Sequence, residues 1–375
     1  MIIRMPAHRP VPGEPPSPRL HEVQVRALRD GELLLPEAVI SDKRGGPEDV
    51  FALSTARPAG GGGPLASVGD RNAARMYGIT NTAYHVQRGL RRLAALLGRP
   101  LPTLEVHIGM HSPAHDTARG AWGGGHYRLP ARSYSDHEES GVIAPTGEVH
   151  LGAGARHVLM RDGSQYFAAP AHNAAIIYHE LGHHLCRHTA DFRGNTSREP
   201  HLQTNRRTAI EEGTCDYLAA VLLGTADIYG WHRGHLSAGD PERRRLDVGA
   251  TMARFRGGHR HDPHLDGTIW ASALWSAREG VCEAGMPGSD FDRLLIGALD
   301  LLGEEQPGHR DPVEQLRRAR HFSRALAAML EVDSATGGRL GSTVERAFAR
   351  HGIRVGESNS ALRRTTRANR AAVAV

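Results

Sequence analysis

The chain has 375 residues, 39% hydrophobic and 23% charged, a length and balance that can bury a large core and exclude wholesale disorder. Its net charge is +5 with histidine neutral, but no zinc-knuckle spacing, basic-zipper heptad or aromatic platform accompanies the basic excess, so no nucleic-acid partner is expected. Three cysteines, Cys186, Cys215 and Cys282, are too few and too odd for a disulfide framework, and no apolar run reaches the ~20 residues that span a bilayer.

Residues 1–20 are Pro-rich and read as disordered. They also lack the apolar core of a signal peptide, which makes the expected location cytoplasmic. Val23, Val25 and Ala27 then share one parity, and Arg29-Asp30-Gly31 leads into Leu33-Leu34-Leu35, the pattern of a β-hairpin. Residues 43–70 carry Gly-Gly-Pro and Gly-Gly-Gly-Gly-Pro runs and read as a loop. Residues 71–98 predict the first long helix, with Tyr84, Val86, Leu90, Leu93 and Leu97 in a stripe and Gly98-Arg99-Pro100 as its stop. Arg88, Arg91 and Arg92 lie off the stripe, as a solvated face or a phosphate patch.

Residues 101–167 look β-rich, with alternation at 104–108 and 147–152. Between them, Gly120-Ala121-Trp122-Gly123-Gly124-Gly125 is either an edge strand open to an extended peptide or a plain loop. His107, His111, His115, His126 and His150 are scattered here without ligand spacing, and each reads as a structural or surface histidine.

The distinctive stretch is His179-Glu180-Leu181-Gly182-His183. In a helix, residues four apart share a face, so His179 and His183 can aim two imidazoles at one metal ion, with Glu180 beside it as a general base. In a chain with 24 histidines a five-residue match can arise by chance, and its context has to decide. A zinc site needs a third protein ligand, and residues 208–216 offer one. Thr208 and Glu211 fit a capping box, which leaves Glu212 to point elsewhere as the ligand, with Asp216 one turn on as acceptor for a ligand imidazole N–H. The plainer alternative is an acidic first turn favoured by the helix dipole, with Asp216 merely exposed.

These residues resemble the gluzincin metallopeptidases, thermolysin-like and fungalysin-like enzymes in particular. There a His-Glu-x-x-His helix is followed by a Glu ligand and an Asp four residues later. Residues 264–275 are similar to the family segment in which a His precedes an aromatic-rich helix. The resemblance implies that His264 stabilises the tetrahedral oxyanion; on the residues alone it is one of three histidines in 259–264.

The resemblance implies an α+β, thermolysin-like two-lobed fold. A β-rich N-terminal lobe over 21–188 ends in the motif helix, a helical lobe covers 189–355, and a basic tail over 356–375 reads as disordered. It implies a zinc metalloendopeptidase with a protein or peptide substrate, no membrane partner, and an edge strand gripping substrate, for which Gly120, Ala121 and Trp122 are the candidates. The acidic clusters that bind calcium in the family are not evident, which leaves calcium open. Two other readings remain: a non-catalytic zinc-binding module, and a basic interaction protein carrying a chance motif.

Overall fold

The computed structural model describes residues 1–8, 19–29, 32–43, 71–110, 123–128, 146–154, 156–159, 165–190, 205–229, 244–256, 262–304 and 322–356. The described residues are mixed α and β, with seven α-helices, and none of these helices is long and apolar enough to cross a membrane. They group into two compact units. The first takes in 1–95, 99–184 and 218–241; the second takes in 96–98, 185–217 and 242–375.

In the first unit, β1 (Ile2–Ala7) pairs antiparallel with β2 (Arg19–Gln24). Residues 2–7 therefore depart from the disorder their prolines suggest: Met5 and Ala7 are buried, and Pro6 stands in a two-stranded ribbon. Proline is tolerated in such a ribbon, where missing one donor costs little. The hairpin expected next forms between β3 (Ala27–Arg29) and β4 (Glu32–Leu34), closing at Arg29 opposite Glu32. With β5 (Ala38–Asp42), β6 (Leu104–Met110), β7 (Gly125–Arg128) and β8 (Glu148–Gly152) these make a six-stranded sheet in the order β3-β4-β5-β6-β8-β7. The pairs β5·β6 and β6·β8 are parallel, while β7 is an antiparallel edge. Leu104, Val106 and Ile108 alternate into the core, and the polar residues between them take the other face. A second ribbon, β9 (Arg156–Leu159) with β10 (Gln165–Ala168), lies at the end of the stretch expected to be β-rich.

The long helix α1 (Arg71–Leu97) connects β5 to β6, and Val86, Leu90 and Leu93 of the expected stripe are buried. Arg88 is not on a solvated face. Its guanidinium donates to the Tyr178 hydroxyl and the Leu222 carbonyl, because the helix passes close to those groups in the same unit. A 3₁₀ turn over Pro170–His172 leads into α2 (Ala174–Arg187), the motif helix. Residues 44–70 and 357–375, expected to be loop and tail, lie outside the described residues.

Next in the chain come α3 (Asn205–Leu223), which ends at Gly224 with φ 78°, α4 (Pro263–Glu283), α5 (Gly288–Glu304), α6 (Phe322–Ala335) and α7 (Gly341–Arg350). The last four belong to the second unit, as does α3 up to Tyr217, and there α4 is central. Its Trp270 is fully buried, stacked on Phe322 of α6 and edge-on to Phe348 of α7, while its indole N–H donates to Thr214 of α3. Three side chains of this size, fully buried, contribute on the order of 2–3 kcal/mol each.

Candidate metal centre

The first unit holds the two motif histidines. One turn of α2 separates His179 from His183, and their rings lie edge to face with centroids 5.0 Å apart, as the i, i+4 spacing demands. Glu180 is 4% exposed, and among the described residues its Oε2 has no hydrogen-bond partner. A buried carboxylate oxygen is costly to leave unsatisfied, and such an atom implies a water, an ion or a catalytic duty. Glu180 also lies against the sheet edge. A Cβ added to Gly125 of β7 would fall 2.6 Å from Ile176 and 3.0 Å from the Glu180 carboxylate, so glycine is what lets α2 approach the strand. Residues 120–122, the candidate substrate grip, lie outside the described residues, but β7, which begins three residues later, is an edge strand of the sheet among the described residues.

His184, which follows the motif, is structural. It is fully buried, with Nε2 2.9 Å from the Pro102 carbonyl and Nδ1 3.0 Å from the Tyr127 hydroxyl.

The second unit holds Glu212, Asp216 and His264. The helix carrying Glu212 starts at Asn205, so Thr208 lies within its first turn and does not cap it. A Thr208 N-cap makes Ala209 the first helical residue, whereas the helix begins four residues earlier, so the position of Thr208 does not set Glu211 apart. Glu212 is distinguished by another relationship. Its Oε2 lies 3.1 Å from His264 Nε2, and Asp262, the N-cap of α4, holds the other ring nitrogen at 2.7 Å. Burial pulls the His264 pKa down, but the Glu212 charge and the bonds to Asp262 and Glu212 outweigh it and raise the pKa to about 9. His264 is thereby held as an imidazolium.

Asp216 is fully buried, which removes the plain exposed-acid reading, and both its oxygens accept from the Arg244 guanidinium. Arg244 carried no sequence signal. It stands between Arg243 and Arg245 in an irregular stretch, and its φ of 56° places a non-glycine residue in the left-handed region. That conformation costs on the order of 1 kcal/mol, which the buried ion pair holds in place. The three cysteines are free thiols. Burial, followed by the neighbouring Cys186, pushes the Cys215 thiol well above its usual range.

One further cluster sits in the first unit, on the sheet face away from Val106 and Val149, and it contradicts the reading of His107, His126 and His150 as scattered. The parallel pairing of β6 and β8 sets Glu105 opposite Glu148 and His107 opposite His150, and the antiparallel β7 adds His126 beside His150. Ligand atoms of His107, Glu148 and His150 all lie within 4.8 Å of one another. The signal was in the sequence: Glu-Val-His occurs twice, at 105–107 and 148–150, in two strand-like runs. Burial, followed by the charge of Glu148, raises the pKa of Glu105.

The described residues therefore contain His, Glu and Cys groups able to hold a metal ion. A search with models of protein families matches no part of the chain, and a search of curated proteins finds no match.

Proposed function

We propose that this protein is a zinc-dependent endopeptidase of the gluzincin type, with the two-lobed architecture of thermolysin-like enzymes. The observation that carries this reading is the buried Oε2 of Glu180, which has no hydrogen-bond partner among the described residues and lies on the same helix turn as His179 and His183. A purely structural zinc site has no use for a further, non-ligating carboxylate buried beside it.

His179, His183 and Glu212 are the proposed ligands, a donor set of two imidazoles and one carboxylate that suits zinc and leaves one position open. When bound there, the ion supplies Lewis acidity that lowers the pKa of water to ~7 and polarises the scissile carbonyl. Glu180 accepts the proton of the attacking water and delivers it to the leaving amine, a shuttle its unsatisfied oxygen is free to make. His264, held at Nδ1 by Asp262, would turn its Nε2 from Glu212 to the developing oxyanion and donate to it, a contribution of about 3 kcal/mol. Asp216 is the proposed acceptor for a ligand imidazole N–H, and its pair with Arg244 balances its charge. The substrate is proposed to lie extended along β7, an edge strand among the described residues whose Gly125 borders Glu180, so that main-chain hydrogen bonds present the scissile bond to the carboxylate.

The test is hydrolysis of casein or quenched peptides by the purified chain, before and after chelation and after return of zinc. Chelator-sensitive cleavage restored by one equivalent of zinc is expected. Cleavage indifferent to the chelator, or none by the zinc-loaded chain, would overturn the reading.

A further inference from the structure

We propose that His107, Glu148 and His150 form a second metal site, for a zinc-class divalent transition ion, which ties β6 to β8 independently of the peptidase centre. The repeated Glu-Val-His places like residues side by side, and the two imidazoles converge on one carboxylate. Glu148 Oε2 lies 2.7 Å from His150 Nε2 and 3.6 Å from His107 Nε2. Two donors on a tetrahedral zinc ion stand about 3.4 Å apart, which follows from zinc–ligand lengths near 2.1 Å. The His107–Glu148 separation is already of that size, and rotation of the Glu148 side chain opens the shorter one.

Each imidazole is also held from behind. His107 Nδ1 lies 3.3 Å from Ser41 Oγ, and His150 Nδ1 lies 3.3 Å from His126 Nε2. An outer partner on the remote nitrogen fixes the tautomer and leaves Nε2 to face a metal, the usual support of a ligating histidine. Glu105, next to Glu148 in the register, has Oε2 3.3 Å from His107 Nε2 and can close the fourth position. Glu148 and His150 are 5% and 2% exposed, so the donor pair is shielded from solvent. Two imidazoles with carboxylates select zinc-like ions over calcium or magnesium, and four protein donors make a closed, structural site rather than a catalytic one. The ion would cross-link two parallel strands that lie more than forty residues apart in the chain, so its benefit is to sheet stability.

The experiment uses the full chain carrying His179→Gln and His183→Gln, which removes the motif imidazoles. Equilibrium dialysis with Zn²⁺ and absorption titration with Co²⁺ are expected to show one equivalent bound, with visible bands of four-coordinate nitrogen and oxygen ligation. Adding His107→Gln is expected to weaken binding at least a hundredfold, and adding the half-exposed Glu105→Gln about tenfold, each in protein whose circular dichroism is that of the parent. Absence of Zn²⁺ and Co²⁺ from the folded parent variant overturns the site and leaves the row a hydrogen-bonded ladder. Binding unchanged by both Glu105→Gln and His107→Gln overturns it equally. Neither result bears on peptide cleavage, which depends on the other centre.

Discussion

Gly213 and Gly267 meet where α3 crosses α4: a Cβ on Gly213 would stand 2.3 Å from the Gly267 carbonyl oxygen, and one on Gly267 would stand 2.8 Å from the Ala209 carbonyl oxygen. The crossing is what brings Glu212, the neighbour of Gly213, to His264, three residues before Gly267. Backbone cannot yield as a flexible side chain does. Gly213→Ala is therefore expected to cost about 2–3 kcal/mol in urea denaturation, despite alanine's better helix propensity, and to reduce peptidase activity with it. A variant as stable as the parent would show that the helices slide freely here.

Arg244 and Asp216 form the buried pair of the second unit, and removing one partner leaves the other uncompensated. Arg244→Met is expected to destabilise the chain by about 3–5 kcal/mol, and Arg244→Met with Asp216→Leu by distinctly less. The double-mutant cycle in urea reads this directly. Equal losses in the single and double variants would mean that the pair acts through packing rather than charge.

His85 supplies a pH dependence whose sign can be worked out. Its ring nitrogens lie 2.8 Å from the Tyr178 hydroxyl and 2.8 Å from the His8 carbonyl. Burial draws its pKa down to about 3 against the upward pull of the His8 bond, with Arg88, His8 and His21 adding to the depression. Above its unfolded pKa of ~6.5 the group is neutral in both states. Below that value the unfolded chain takes up a proton that the folded chain refuses until about pH 3, so stability falls as pH drops through this window. Between pH 7 and pH 5 the parent should lose about 2 kcal/mol more than His85→Asn does, at ~1.4 kcal/mol per unit. Parallel profiles for the two proteins would contradict the burial of a neutral imidazole.

What was legible in the sequence follows the range of the interactions. His179, Glu180 and His183 are spaced by a single helix turn, and the aromatic α4 announces itself by composition, so local pattern suffices for both. Glu212 was singled out for a wrong reason, since α3 begins before Thr208, and what sets it apart is a contact with His264 fifty-two residues on. The strand at Ile2–Ala7 was hidden because proline content outweighed the alternation that buries Met5 and Ala7. His107 and His150 looked unrelated because strand pairing, unlike helix periodicity, joins residues at no fixed spacing. Only the repeated Glu-Val-His hinted at their register. Arg244, in an irregular stretch with a strained backbone, had no signal at all.

Glu180 is the proposed base of a zinc peptidase, and peptide hydrolysis by Glu180→Gln at defined zinc content reads that role. The substitution keeps the shape of the side chain and touches no proposed ligand. One zinc retained at the motif centre, unchanged folding, and a fall in kcat of at least a thousandfold, on the order of 4 kcal/mol, are expected. Hydrolysis by Glu180→Gln at the rate of the parent, with zinc in place, would contradict that role.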